Sequence, residues 1–182
     1  MLSKSCIRLV QLYFEKIENV KVVKVSLGFA EMEYDVSKIK PAQIEKYFDE
    51  LGFTVVKDPD VELVERCKVA AVELIHYAYN TSSLIRNSEY ISDRLQMPYE
   101  KISKIFSRVT NTTLEKYIIL LKIEKAKELI LSAELSLSEI SYMLGYSSVH
   151  YLSNQFKKIT GVTVSEFKEN SALHRIPIED LI

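Results

Sequence analysis

Tryptophan is absent from this sequence, and glycine, proline and cysteine are scarce: four, four and two among 182 residues. So few glycines exclude a glycine-rich phosphate-binding loop. Cys6 and Cys67, far apart in the chain, exclude a disulfide framework. His76, His150 and His174 have no metal-ligand partners at useful spacing, and no serine or carboxylate stands with them as a triad. Nothing approaches the roughly 20 apolar residues that cross a bilayer. The opening MLSKSCIRLV lacks the apolar core and small-residue cleavage site of a signal peptide. These absences predict a cytoplasmic protein that is not an enzyme, needs no cofactor and has no membrane partner.

Excess charge is missing as well. The net charge of −1 excludes binding to nucleic acid by bulk charge alone. From Arg86 to Asn170 basic residues slightly outnumber acidic ones, so any DNA contact there must come from locally placed charges. What is present is 47% hydrophobic content, enough for one folded domain or two small ones.

The most informative stretch is SLSEISYMLGYSSVHYLSNQFKKITGVTVSEF, Ser136 to Phe167. Ser136 and Glu139 have the spacing of a capping box, flanked by Leu135 and Ile140 as a hydrophobic staple. Ile140, Met143 and Leu144 give a short helix one apolar face, and Gly145 suits its left-handed end. After Tyr146-Ser147 a second helix buries Leu152, Phe156 and Ile159 and leaves polar residues on its other face. Two short helices about a glycine turn form a helix-turn-helix. The run Ile140-Ser141-x-x-Leu144-Gly145-Tyr146-Ser147-Ser148, Leu152-Ser153-x-x-Phe156-Lys157-Lys158, then Gly161-Val162-Thr163-x-Ser165-Glu166-Phe167 resembles the second helix-turn-helix of the AraC/XylS regulators. It departs at Ser141, Val164 and Lys168, where Ala, Pro and Arg are usual.

The pattern occurs twice, at a period of roughly fifty residues. Ile91-Ser92-x-x-Leu95 parallels Ile140-Ser141-x-x-Leu144, Ile102-Ser103-x-x-Phe106 parallels Leu152-Ser153-x-x-Phe156, and Tyr117 parallels Phe167. The spacing slips by one residue in the turn, where Gln96-Met97-Pro98 replaces the glycine turn. Asn87 is expected as the N-cap of the first copy, and Pro98 suits the start of its second helix. Between the copies Leu114–Ser132 reads as uninterrupted helix, about 28 Å long at 1.5 Å per residue. That length is comparable with one turn of B-DNA. It resembles the family's connecting helix.

Residues 1 to 58 have a different texture. Ile7, Val10, Phe14 and Ile17 make a helical face; Val20–Val25 and Phe29–Tyr34 read as strands about a Leu27-Gly28 turn. Pro41 opens a helix that Gly52 stops, and Thr54-Val55-Val56 reads as a final strand. Only an initial strand is lacking from the ferredoxin-like βαββαβ order. Met1-Leu2-Ser3-Lys4-Ser5-Cys6, Glu33-Tyr34-Asp35 and Leu51-Gly52-Phe53 resemble a heavy-metal-associated domain. Ser3 replaces the first cysteine of that family's Met-x-Cys-x-x-Cys, so the two-thiolate metal site is halved and Cys6 is the lone remaining candidate. An upstream start would restore the first strand; otherwise the sheet has three strands and an open edge. From 59 a helix follows, with Val64, Cys67, Ala71, Leu74 and Ala78 as a stripe that packs at home or serves as a dimer seam.

The expected architecture is an α+β ferredoxin-like unit at 1–58, a linker helix at 59–83, an all-α double helix-turn-helix domain at 84–170, and a tail at 171–182. The resemblance implies double-stranded DNA as partner, with RNA polymerase and a second copy of the chain as further candidates. Recognition helices at 98–109 and 147–158 would read successive major-groove segments. On the first the reading residues are Tyr99, Glu100, Lys101, Ser103, Lys104 and Arg108; on the second they are Ser148, Val149, His150, Ser153, Asn154, Lys157 and Lys158. Asn suits adenine, Val a thymine methyl, Lys104 guanine and Glu100 cytosine; Arg108, Lys157 and Lys158 suit phosphates. The alternative is a sensor of metal or thiol ligands acting through Cys6.

Overall fold

Ser3 starts the first helix by accepting a hydrogen bond from the backbone N–H of Cys6 at 3.3 Å, so the residue standing where a second cysteine would be is an N-cap. The computed structural model describes residues 1–77, 86–170 and 176–182. Within them the chain forms two compact units, Met1–Val69 and Ala70–Ile182.

The first unit contains α1 (Lys4–Phe14), β1 (Val20–Ser26), β2 (Phe29–Tyr34), α2 (Pro41–Glu50) and most of α3 (Pro59–Val72). The strands are antiparallel, with Val20 opposite Tyr34 and Ser26 opposite Phe29, and a bulge at Val23. Alternation sorts their side chains. Val20, Val22, Val25, Ala30, Met32 and Tyr34 pack on a core of Val10, Phe14, Ile39 and Ile44, while Lys21 and Glu33 form an exposed cross-strand ion pair at 2.8 Å. The Phe14 ring lies 4.7 Å from that of Phe48, centroid to centroid, which ties α1 to α2. As expected, Pro41 is the first residue of α2. Past its end, Phe53 donates back to the Phe48 carbonyl at 2.9 Å.

One expected element does not form. Thr54-Val55-Val56 is not a strand, and the described sheet has two strands only. Topology explains the difference. In a split βαβ arrangement the closing strand lies beside the opening one, and α1 begins at Lys4 with no strand before it. Val55 and Val56 lie outside the described sheet and stay 39% and 37% exposed.

The stripe on α3 continues into a π-helical turn at Glu73–Tyr77. Val64, Cys67, Ala71 and Leu74 are at most 2% exposed within the single chain, so these four pack at home; Ala78 lies outside the described residues. Burial pushes the Cys67 thiol up to about 12, which keeps it an unreactive small hydrophobe.

The second unit is helical: α4 (Asn87–Leu95), α5 (Tyr99–Thr110), α6 (Leu114–Ser132), α7 (Leu137–Met143), α8 (Val149–Thr160), α9 (Val164–Glu169) and a short 3-10 turn at Ile178–Asp180. Asn87 is the first residue of α4, not its N-cap; that place is taken by Arg86, which makes no side-chain cap bond. No described helix is long and apolar enough to cross a membrane. The central element is α6, against which the π turn, α5, α7 and α8 all pack. Surrounded in this way it buries even charged residues. Glu124 and Lys127 form an ion pair with side chains 5% and 3% exposed, and the other Glu124 oxygen accepts from the Ile176 backbone at 3.2 Å.

Candidate nucleic-acid interface

The two helix-turn-helix copies are built from the same backbone bonds. In the second, Gly145 takes φ +68°; its N–H bonds the Tyr142 carbonyl at 3.0 Å, and the Tyr146 N–H reaches back to the Ser141 carbonyl at 2.9 Å. This is a Schellman ending. In the first copy Gln96 takes the left-handed place, at φ +53°, and the Met97 N–H bonds the Ser92 carbonyl at 3.2 Å. Ser92 and Ser141 are the serines that the sequence repeat pairs. The one-residue slip therefore falls after the turn, between the left-handed residue and the N-caps Pro98 and Ser148.

Beyond that slip the copies correspond residue for residue. Thr110 and Thr160 each donate to the carbonyl four residues back, Phe106 or Phe156, at 2.8 Å. Asn111 and Gly161 end α5 and α8 in the left-handed conformation. Thr113 and Thr163 cap the next helices through the N–H groups of Lys116 and Glu166. Tyr117 then packs on Phe106 at 5.6 Å between ring centroids, as Phe167 packs on Phe156 at 5.4 Å. Ile102 and Phe106 in α5, and Leu152 and Phe156 in α8, are fully buried. This burial fixes which face of each helix remains outside.

The outward faces follow from that packing. On α5, Glu100, Lys101, Lys104 and Arg108 are exposed; on α8, His150, Tyr151, Asn154, Lys157 and Lys158 are exposed. Ser103, Ser153 and Val149 are half-buried at the edges. Tyr99 is half-buried too, its hydroxyl donating to Glu115 at 2.8 Å, and the Ser148 hydroxyl accepts from the Tyr151 N–H at 3.1 Å. These two residues bound the reading faces and hold the helix starts. Asn154 Nδ2 lies 3.0 Å from His150 Nε2, one turn earlier on α8. Helix bounds of Tyr99–Thr110 and Val149–Thr160 place the helices one to two residues later than 98–109 and 147–158.

The sequence reading missed Tyr151, which is 50% exposed, with its ring 5.8 Å from that of Tyr146. The repeat held the signal, since Tyr151 stands where the first copy has the exposed Lys101. Tyr142 on α7, 69% exposed, gave none. Behind this surface the scaffold is polarised. Burial lowers the Lys122 pKa, and its ammonium lies 5.5 Å from the centre of the Tyr146 ring. Burial also pushes Tyr146 up to about 12. At the capping boxes, hydrogen bonds from Ser136 and Thr163 hold Glu139 and Glu166 below the usual glutamate range.

The N-terminal unit offers no comparable constellation. Cys6 is half-buried on α1, with the Ser3 hydroxyl 3.1 Å from its sulfur. No group of three or more His, Cys, Asp or Glu is placed to hold a metal ion among the described residues. A capping hydroxyl beside one thiol does not fit a soft-metal site, which needs two or more soft or borderline donors. His174 lies outside the described residues.

Comparison with known proteins gives matches to part of the chain. Residues 91–170 match the family described as a helix-turn-helix domain. The xylose operon regulatory protein of Escherichia coli is 26% identical over 161 residues, which is 84% of this chain and 41% of that protein. The Msm operon regulatory protein of Streptococcus mutans is 28% identical over 97 residues, 53% of this chain and 34% of that one. This chain thus spans less than half the length of either. Among solved structures, the C-terminal domain of AraT, a response regulator from Geobacillus stearothermophilus, covers 66% of this chain and 89% of its own, at 25% identity and a TM-score of 0.49. Residues 91–170 are thus similar to a helix-turn-helix domain, and the chain is similar over part of its length to proteins named as operon regulatory proteins.

Proposed function

We propose that this chain is a sequence-specific DNA-binding transcription regulator of the AraC/XylS type, in which α5 and α8 read successive major-groove segments of one duplex. The supporting observation is the repeated construction. Two helices carry polar outer faces, each fixed by the same caps and aromatic pair. They are joined by α6, whose 19 residues make a stiff spacer of about 28 Å, close to one turn of B-DNA. Glu100, Ser103, Lys104 and Tyr99 on α5, and Ser148, Val149, Ser153 and Asn154 on α8, are assigned to base edges, with His150 beside Asn154 on the same face. Arg108, Lys157 and Lys158 stand later on the helices, where phosphates are the targets.

The remaining assignments belong to the same reading. Residues 1–58 form a degenerate heavy-metal-associated-like module that has kept its helix–hairpin–helix core and lost its metal chemistry, since Ser3 caps α1 where a thiolate would stand. It serves to dimerise the chain or to pack, with 59–83 as linker and 84–170 as the DNA-binding domain of a cytoplasmic regulator. RNA polymerase is the natural second partner once the chain is on a promoter.

Selection of bound duplexes from a randomised pool tests the proposal. Asn154→Ala is expected to weaken binding to the selected site by ~1–3 kcal/mol, the scale of one base-edge pair. Equal binding of the parent chain to every duplex would refute it.

A further inference from the structure

Resting on the DNA-reading proposal, we infer that His150 is a positioning residue: it reads no base itself but sets which way the Asn154 amide faces, making α8 an adenine reader at that position. Both residues are exposed on the outer face of α8, one turn apart, with Asn154 Nδ2 at 3.0 Å from His150 Nε2. An amide nitrogen has only hydrogens to offer. With Nδ2 toward the ring, Nε2 accepts in the tautomer that carries its hydrogen on Nδ1.

In the proposed arrangement that bond uses the amide hydrogen on the side away from Oδ1. The hydrogen on the same side as Oδ1 stays available, next to Oδ1 itself. A donor and an acceptor side by side are what the major-groove edge of adenine requires: Oδ1 accepts from N6–H and Nδ2 donates to N7. Turning the amide over would bring Oδ1 against a ring nitrogen that is itself an acceptor, which costs the bond and sets two lone pairs together. In that tautomer the pair disfavours the flipped amide and limits the side chain's freedom before DNA arrives. Groups prepared in this way lose less entropy on binding and discriminate more sharply. The first copy has no such device: the matching residues are Glu100 and Lys104, and a lysine ammonium has no orientation to set.

The experiment is duplex selection with the full chain from a randomised pool, followed by competition between selected duplexes that differ at single base pairs. It uses His150→Ala, His150→Gln, Asn154→Ala and the double variant His150→Ala with Asn154→Ala. His150→Ala is expected to reduce the adenine preference at the Asn154 position about five- to tenfold. His150→Gln, whose Oε1 can accept from the same amide across one helical turn, is expected to restore most of it. In the Asn154→Ala background, His150→Ala should change base preference at no position. A new loss of preference at a second base pair, persisting without Asn154, would show that His150 reads a base directly and overturn the inference. Failure of Gln to restore the preference would overturn it as well. A parent chain that selects no sequence defeats the DNA-reading proposal instead, so the two failures are told apart.

Discussion

Gln96 occupies in the first helix-turn-helix the left-handed position that Gly145 holds in the second, at φ +53° against +68°. A residue with a Cβ pays about 1–2 kcal/mol for that conformation, and Gln96 recovers part of it by donating from its side chain to the Asp93 carbonyl at 2.7 Å. Gln96→Gly should therefore stabilise the folded chain by about 0.5–1 kcal/mol, after the greater flexibility of glycine in the unfolded state is subtracted. Gly145→Ala should cost about 1–2 kcal/mol. Denaturant titrations of the two variants check the pair, and equal effects of the same sign would contradict the assignment of the two turns.

The Glu124–Lys127 pair inside α6 makes a different prediction. Removing one partner of a buried pair takes from the other the counter-charge that it has there. Glu124→Gln should then cost about 3–5 kcal/mol, while replacing both by apolar residues of similar size, Glu124→Leu with Lys127→Met, should be far milder than the single change. Glu124 also accepts from the Ile176 N–H, so hydrogen exchange at Ile176 should quicken in both variants. A double variant as unstable as the sum of the singles would show that the pair is not coupled.

The capping boxes predict a pH response. Hydrogen bonds from Ser136 hold Glu139 below the usual carboxylate range in the folded chain, as those from Thr163 do for Glu166. A carboxyl whose folded pKa is depressed adds stability that is complete above its unfolded pKa and is lost as pH falls through the folded value. Stability should thus decline as pH drops below about 4.5, the ordinary glutamate value, partly through these two groups. Ser136→Ala should lower stability at neutral pH by about 1 kcal/mol, and its curve should fall less steeply on acidification. An unchanged acid slope would mean that Glu139 does not sense Ser136.

These elements show where the sequence was legible. An uninterrupted run of helix formers marked α6 at Leu114–Ser132, and residue spacing announced the Ser136–Glu139 box, because both depend on residues near one another in sequence. The Ile-Ser-x-x-Leu and Phe repeats likewise announced two matching helix pairs. Thr54-Val55-Val56 misled because strand propensity says nothing about whether an edge exists to pair with. Asn87 misled because a good capping residue can sit inside the first turn while Arg86 takes the boundary. The His150–Asn154 bond was hidden for another reason: i,i+4 spacing brings the two side chains near each other, but only the outward placement of both makes their contact part of a reading face.

On the proposed function the two copies divide the work of binding DNA, and salt separates the shares. Each phosphate contact releases condensed counterions, so losing one should reduce the slope of log affinity against log salt by about 1. Lys158, late on α8, and Arg108, at the matching position of α5, are the residues that the proposal assigns to phosphates. Lys158→Ala should weaken binding by a similar factor on every duplex and flatten the slope by that amount. Lys104, at the position that Asn154 holds in the second copy, is exposed and assigned by the proposal to a base edge. Lys104→Ala should instead relax the preference for guanine several-fold at one base pair, and change it at none of the positions that α8 reads. Affinity measured on matched and mismatched duplexes across a salt series distinguishes the two. If Lys104→Ala flattened the slope without altering base preference, Lys104 would belong with the phosphate residues, and the first copy would orient the chain on DNA while α8 carried the sequence preference.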